Sequence, residues 1–376
     1  MAGRKRRKLN KLVAATTNKK ETLTYKEKET CEQHGWIELP RDVLELIISR
    51  LTLEDNIRAS VVCKEWFSVA VNVRVVSKPP WLMFIPKSGN EVEFYDPLQR
   101  VFYALELPEL SHSRICYSKD GWLLVYKPET HQLIFVNPYT RKLIELPKLE
   151  LQYQIVAFSA APTSSSCIVF TIRPITATII VISTCQPGAA EWTRINFRNR
   201  LPFVCRMWNK LVFCGGKFYC LSLTGWLGVY DPAKRTWVVH VLPPPKCPQN
   251  FSLKNWWKNK FMAEHNGEIF VVYTSSEVNP VIYRLDQGIQ GWVQMKTLGG
   301  LSIFASFLAS HARTDLLGTM RNRVYFTKVR YYGRRCISYS LDNRRYYPKK
   351  QCYDWGKDNP FGSIWIDPPE DLSCFG

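Results

Sequence analysis

Histidine and cysteine are the side chains that most often move protons, attack carbonyl groups or hold transition metals near neutral pH. The six histidines are His34, His112, His131, His240, His265 and His311, and none lies at metal-ligand spacing from another. Each is therefore read as a surface or strand residue. The twelve cysteines include no Cys-x-x-Cys pair and no Cys/His cluster at zinc spacing. No secretory signal precedes them, so they are expected to be reduced thiols of the cytosol or nucleus. A Gly-x-Gly-x-x-Gly turn, a Gly-Lys-Ser/Thr phosphate loop and a Gly-x-Ser-x-Gly elbow are all missing. The chain is expected to be non-catalytic, with no cofactor and no metal.

Charge points to partners instead. The 376 residues carry 51 Lys and Arg against 32 Asp and Glu, a formal net charge of +19. Residues 1 to 30 hold few large apolar side chains and many cations, the composition of a disordered basic tail. Within it Arg4, Lys5, Arg6, Arg7 and Lys8 match the short basic cluster read by nuclear import, so a nuclear and/or cytoplasmic location is expected. Cations and aromatic rings interleave at Trp256, Trp257 and Lys258, and again from Arg330 to Arg334. Single-stranded nucleic acid binds to such platforms. Strands are rich in aromatic residues anyway, and scattered surface charge is usually only solvated, so nucleic-acid binding is disfavoured. No run approaches the ~18 apolar residues that a membrane helix requires.

The elements that carry these residues divide the chain. From 36 to 76 the apolar period is helical. Leu44, Ile47, Ile48 and Leu51 fall at i, i+3, i+4 and i+7 behind Pro40 and Asp42, which suit a helix start. Thr52 and Asp55 resemble a capping box for a second helix bearing Ile57 and Val61, and Cys63, Trp66, Phe67 and Ala70 mark a third. Forty residues of helix bury too little surface to be stable alone, so this module needs a partner surface.

From 77 to 372 the period becomes two. Asp96-Pro97, Asn137-Pro138 and Asp231-Pro232 each follow an apolar run, and each is followed by a basic turn and a strand ending in Leu-Pro. Strands restart after Asp120-Gly121, Gly215-Gly216, Asn266-Gly267 and Arg321-Asn322. Recurrence every ~40 to 50 residues with several strands per unit indicates a β-propeller. The fold class is mainly β: a three-helix module followed by a propeller with six units, starting near Trp81, Gly121, Cys167, Gly216, Gly267 and Asn322. The segment Ser363-Ile364-Trp365-Ile366 leaves open a seventh blade.

The run from Trp36 to Leu51, with Leu39-Pro40 near its start, closely resembles the opening of an F-box, and Val61-Val62-Cys63-Lys64-Glu65-Trp66 is similar to its Val-Cys-Lys-x-Trp ending. Downstream, Cys214-Gly215-Gly216-Lys217-Phe218-Tyr219, Tyr230-Asp231-Pro232 and Trp237 look like one kelch repeat. The chain thus resembles plant F-box proteins with a degenerate kelch-like propeller. That resemblance implies a substrate receptor of an SCF-type ubiquitin ligase. Its F-box would dock on a Skp-type adaptor, and through it on cullin and RING subunits, while the propeller holds the protein to be ubiquitylated. Carried onto this sequence, the adaptor contacts are Leu39, Pro40, Leu44, Ile47, Leu51, Ile57, Val61, Cys63 and Trp66, with Ile48, Val62 and Phe67 assigned to the module's own core. Trp256, Trp257, Lys258, Arg330 and Arg334 become candidate contacts for an acidic protein substrate.

Overall fold

The computed structural model describes residues 39–49, 51, 53–73, 78–85, 89–150, 155–200, 203, 210–222, 225–242, 260–274, 279–286, 288, 291–316, 320–330, 335–348, 362–369 and 372–375. The basic tail, and with it Arg4 to Lys8, lies outside them, as does the candidate cap Thr52.

Three short helices come first: α1 (Arg41–Ser49), α2 (Leu53–Ala59) and α3 (Lys64–Val73). The Pro40 carbonyl accepts the Leu44 N–H at 3.0 Å and so opens α1. Cys63 opens α3, its Sγ accepting the Trp66 N–H at 3.5 Å where a serine hydroxyl would ordinarily serve. Leu44 and Ile48 of α1 pack on Val69 and Ala70 of α3, with Leu39, Trp66 and Val73 at the margin. The buried Asn56 side chain ties α2 to the Ala70 carbonyl at 3.2 Å.

The remainder is six sheets arranged as a ring of blades, with each innermost strand against the next; five are antiparallel, and in the sixth Ser302–Ala305 runs parallel to Arg323–Arg330. Blade 1 contains Trp81–Phe84, Glu91–Asp96 and Val101–Glu106; blade 2 contains Arg114–Lys119, Trp122–Lys127, Gln132–Val136 and Leu143–Lys148. Blade 3 follows with Ile155–Phe158, Val169–Pro174, Ile179–Cys185 and Thr193–Arg198, and blade 4 with Leu211–Cys214, Lys217–Leu221, Leu227–Asp231 and Thr236–His240. Blade 5 holds Lys260–His265, Glu268–Tyr273, Val281–Asp286 and Gly291–Gln294. Blade 6 has five strands: Ser302–Ala305, His311–Arg313, Arg323–Arg330, Arg335–Ser340 and Arg345–Tyr347.

Two expectations change. The segment Ser363–Ile366 starts no seventh blade. It is the innermost strand of blade 1, antiparallel to Trp81–Phe84 with Leu82 opposite Trp365. Blades 2 to 5 also begin one strand earlier than the repeat spacing suggests. The recurring Gly and Asn signals mark the turn after the inner strand, not the start of the blade. Those turns need left-handed backbone, supplied at Asp120-Gly121 (φ 52° and 75°), Gly215-Gly216 (53° and 78°) and Asn266-Gly267 (49° and 81°).

The Asx-Pro signals have a single mechanism. Asp96 Oδ1 accepts the N–H groups of Leu98 and Gln99, Asn137 Oδ1 those of Tyr139 and Thr140, and Asp231 Oδ1 those of Ala233 and Lys234, all at 2.7 to 3.1 Å. Four residues after each Asx, an arginine (Arg100, Arg141 or Arg235) takes positive φ and starts the outer strand.

Aromatic rings fill the space between blades. Phe135 meets Phe158 at 5.0 Å, Phe170 stacks on Phe218 at 4.7 Å, and Phe304 meets Trp365 at 5.1 Å. In blade 4 the Trp237 ring lies directly over Gly228, where an added Cβ would come within 2.0 Å of it. Trp365 is fully buried and donates its indole N–H to the Ala305 carbonyl of blade 6 at 3.1 Å. Its own carbonyl accepts the Ser118 hydroxyl of blade 2 at 2.8 Å. Beyond the closing strand, Phe375 packs against Trp81, Phe94 and Tyr103 of blade 1.

Trp365→Ala should therefore destabilise the ring by about 3–5 kcal/mol, and Gly228→Ala by about 1–3 kcal/mol through overpacking, whereas Val238→Ala on an exposed outer strand should stay within about 0.5 kcal/mol. Urea unfolding measures all three. If Trp365→Ala costs no more than the Val238 control, closure through this strand is not what stabilises the ring.

Candidate functional site

Two surfaces combine unusual exposure with unusual chemistry. The first is the helical module. Among the described residues, seventeen large apolar side chains are exposed, and nine of them lie between Val43 and Val71. They are Val43, Leu46, Ile47, Leu51, Ile57, Val61, Val62, Phe67 and Val71, with Val61 at 82% and Val62 at 62%. So dense a cluster departs from the scattered exposure normal for a surface and marks an interaction face.

Of the nine residues assigned to adaptor contact, Ile47, Leu51, Ile57, Val61 and Pro40 are exposed. Leu39, Cys63 and Trp66 are half-buried, Leu39 and Trp66 against the module's own core. Leu44 is a correction: at 1% exposure it sits inside that core, because α1 turns Leu44 and Ile48 together toward Val69 and Ala70. Val62 and Phe67 are corrected the other way. Val62 lies in the turn between α2 and α3, and Phe67 of α3, at 55% exposure, lies outside the cluster that Val69 and Ala70 form with α1. Val43, Leu46 and Val71 escaped the stripe analysis. Their signal was present: Val43, Leu44, Leu46, Ile47 and Ile48 spread apolar residues over more than half of one helix's circumference, more than a single buried face can use.

The second surface is the mouth of the ring, at the ends of the inner strands. A cavity of about 410 Å³ is lined there by Lys119, Asp120, Phe213, Glu264, His265 and Arg313, among others. An adjoining cavity of about 450 Å³ shares Asp120 and Asp367 and extends along Tyr139, Pro368 and Pro369. Asp367 directly follows the closing strand and gathers the surrounding blades. Its carboxylate pairs with the Arg313 guanidinium of blade 6, lies 3.7 Å from His311 Nδ1, and accepts the Gly121 N–H of blade 2 at 3.3 Å. Tyr139 donates its hydroxyl to the Asp367 carbonyl at 3.1 Å. His311 Nε2 stands 3.0 Å from the Trp365 carbonyl.

Of the residues assigned to substrate contact, Trp256, Trp257, Lys258 and Arg334 lie outside the described residues. Arg330 ends the long strand of blade 6. The mouth residues were not among the candidates, because they come from four blades and no local motif unites them.

Comparison with known proteins gives these surfaces a context. The F-box domain family matches residues 36–78, and the KIB1-4 beta-propeller family matches residues 94–354. The chain belongs to the F-box proteins with a KIB1-4 β-propeller. An F-box protein of Arabidopsis thaliana is 42% identical over 342 residues, which is 90% of each chain. An F-box/kelch-repeat protein of the same plant is 40% identical over 339 residues, covering 89% of this chain and 95% of that one. F-box proteins are in general non-catalytic substrate receptors, and the pairing of a helical F-box with a propeller fits a substrate-adaptor organisation. The exposed apolar cluster is thus the outward face of the F-box, and the cavities lie in the propeller.

The mouth of this F-box protein carries its own electrostatics. Burial works against ionisation of Asp367, but His311, Arg313 and the N–H groups of Gly121 and Asp120 outweigh it and hold the carboxyl below its ordinary 3.8. Burial, reinforced by Arg313, holds the His311 imidazole below its ordinary 6.5 despite Asp367, so at neutral pH the ion pair is carried by Arg313. A carboxyl so lowered stabilises the fold fully above its ordinary pKa, and that stabilisation is lost as the pH falls through the lowered one. A lowered imidazole likewise favours the fold above its ordinary pKa and weakens it as the pH drops below about 6.5. The unfolding temperature should accordingly fall as the pH drops below about 6.5, with a slope that His311→Gln reduces. Asp367→Asn should lower the unfolding temperature at pH 7, and its gap to the parent should close in strong acid. An unchanged slope in the His311 variant would contradict this account.

Proposed function

We propose that this F-box protein is the substrate-recognition subunit of an SCF-type cullin–RING ubiquitin ligase. The observation that carries the reading is the concentration of exposed apolar side chains on three helices that bury only a small core of their own. Leaving Ile57, Val61, Val62 and Phe67 in water forfeits roughly 1.5–3 kcal/mol for each side chain that a partner would bury. A Skp-type adaptor covers that face in this reading and links the chain to cullin and RING subunits, which supply the chemistry. The propeller supplies the surface for the protein to be ubiquitylated. The basic cluster Arg4 to Lys8 is proposed to bring the complex into the nucleus, with a cytoplasmic pool beside it.

Binding energy at such a face concentrates in a few buried anchors. Ile57→Asp and Val61→Asp, both at exposed positions outside the module's buried cluster, should change the unfolding temperature far less than Leu44→Ala. Each should weaken co-purification with a Skp-type adaptor by at least about 2 kcal/mol, more than tenfold. Leu44→Ala should do the reverse, costing about 2–5 kcal/mol of stability through the core. Retention of adaptor by the Ile57→Asp, Val61→Asp double variant would overturn the docking face. Adaptor recovered without cullin would overturn the ligase reading.

A further inference from the structure

The mouth of the ring has a charge of its own. The chain is strongly basic, and the sequence suggested an acidic substrate, yet the 410 Å³ cavity sets Asp120, Glu264 and Asp367 against Lys119 and Arg313. Arg313 is spent on Asp367. That leaves Asp120 and Glu264 facing the cavity with no salt bridge among the described residues. Among the described lining residues the other cation is Lys119, whose ammonium leans over the Phe213 ring, 5.7 Å from the ring centre, and offsets only one of the two carboxylate charges. Both histidines on the wall, His265 and His311, are held below their ordinary pKa with burial as the main cause, so they add no positive charge at neutral pH.

The field of the two carboxylates is felt across the cavity. After burial, which dominates, Glu264 and Asp120 both push the Tyr117 phenol up, and Glu264 acts in the same direction on the Cys214 thiol, where Lys119 opposes it. These walls belong to blades 2 and 4, whereas Glu264 belongs to blade 5. The two carboxylates thus act across the opening, from one blade to another. Among the described residues the adjoining cavity contributes no cation: its wall is Asn137, Tyr139, Thr140, Ser373 and Cys374 with the ledge Pro368-Pro369.

We propose that the mouth binds an extended peptide through one lysine or arginine side chain, the cation entering between Asp120 and Glu264 and the flanking peptide lying along Tyr139 and Pro368-Pro369. This rests on the receptor reading and names the chemical class of its substrate: a protein segment with a basic residue, in place of the acidic segment that net charge alone suggests. Arg313 and Asp367 hold the wall in place by pairing with each other. The high positive charge elsewhere repels a generally basic protein, so the site selects a single basic residue in a neutral or acidic surrounding.

The test uses the full chain in complex with its adaptor and a fluorescent nine-residue Gly/Ser peptide carrying one central arginine, with glutamate and glutamine versions as comparisons, followed by anisotropy up to millimolar concentration. The arginine peptide should bind at least about tenfold more tightly than either comparison, and the preference should fade as salt rises. Asp120→Asn, which keeps a residue suited to the positive φ of that turn, combined with Glu264→Gln, which keeps an acceptor for the Gly267 N–H, should abolish the preference. Lys119→Gln should strengthen arginine binding, an effect that a merely structural lysine would not produce. Equal binding of the three peptides, no binding of any, or a preference for glutamate would each overturn the proposal. Unfolding temperature and adaptor co-purification report folding of the variants. Arginine-selective binding by a chain that captures no adaptor would sink the ligase reading while leaving this one, and adaptor capture without arginine selectivity would do the opposite.

Discussion

The ring depends on a pairing between its two ends. Ser363–Ile366 hydrogen-bonds to Trp81–Phe84, so the last strand of the propeller completes the first blade. Without that pairing the innermost edge of the first blade would be left unpaired. Trp365 concentrates the closure. Its ring packs on Phe304, its indole reaches Ala305 of blade 6, and its carbonyl holds Ser118 of blade 2. Asp367, two residues on, extends the same junction with charge. What shapes the mouth is therefore the closure itself, and the residues lining it are held by the interaction that makes the domain one body.

The two interaction surfaces work by different physics. The F-box face is apolar, built on short helices with a small core, and its driving force is the removal of greasy area from water. Shape and area decide what covers it. The mouth is polar, lies on the rigid inner strands of the ring, and has its charges fixed before any ligand arrives. Preorganised charge in a concave, partly desolvated site discriminates more sharply than the same charges on an open surface. A receptor needs both kinds: an interface to one adaptor that any family member can share, and a separate surface whose chemistry can vary without disturbing it.

Much of the architecture is legible along the chain because it is written in local rules. The stripe Leu44, Ile47, Ile48 and Leu51 makes a helix, and the Asx-Pro turns place an acceptor under two N–H groups whatever surrounds them. Double-residue turns such as Asn266-Gly267 need left-handed backbone, and only a few residue types supply it cheaply. Such signals carry helix existence, strand recurrence and six units. The same locality explains the displacement of the unit boundaries, since a turn announces itself and the strand before it does not.

What stayed hidden depends on which faces meet. A stripe shows that a helix has an apolar side but not which of Leu44, Ile47 and Phe67 another helix will cover; the crossing of α1 and α3 settled that, burying Leu44 and leaving Phe67 outside. Ser363–Ile366 reads as a strand in isolation, and only ring closure makes it the partner of a segment some 280 residues earlier. The charge of the mouth is the furthest removed from sequence. Lys119, Asp120, Glu264, Arg313 and Asp367 are scattered over 249 positions, and a chain of net +19 gives no hint that its centre opens on carboxylates. Residue order alone determines helices, turns and the number of repeats, because those energies act between near neighbours. Burial and electrostatic potential belong to the assembled ring, because they are sums over groups that only folding brings together.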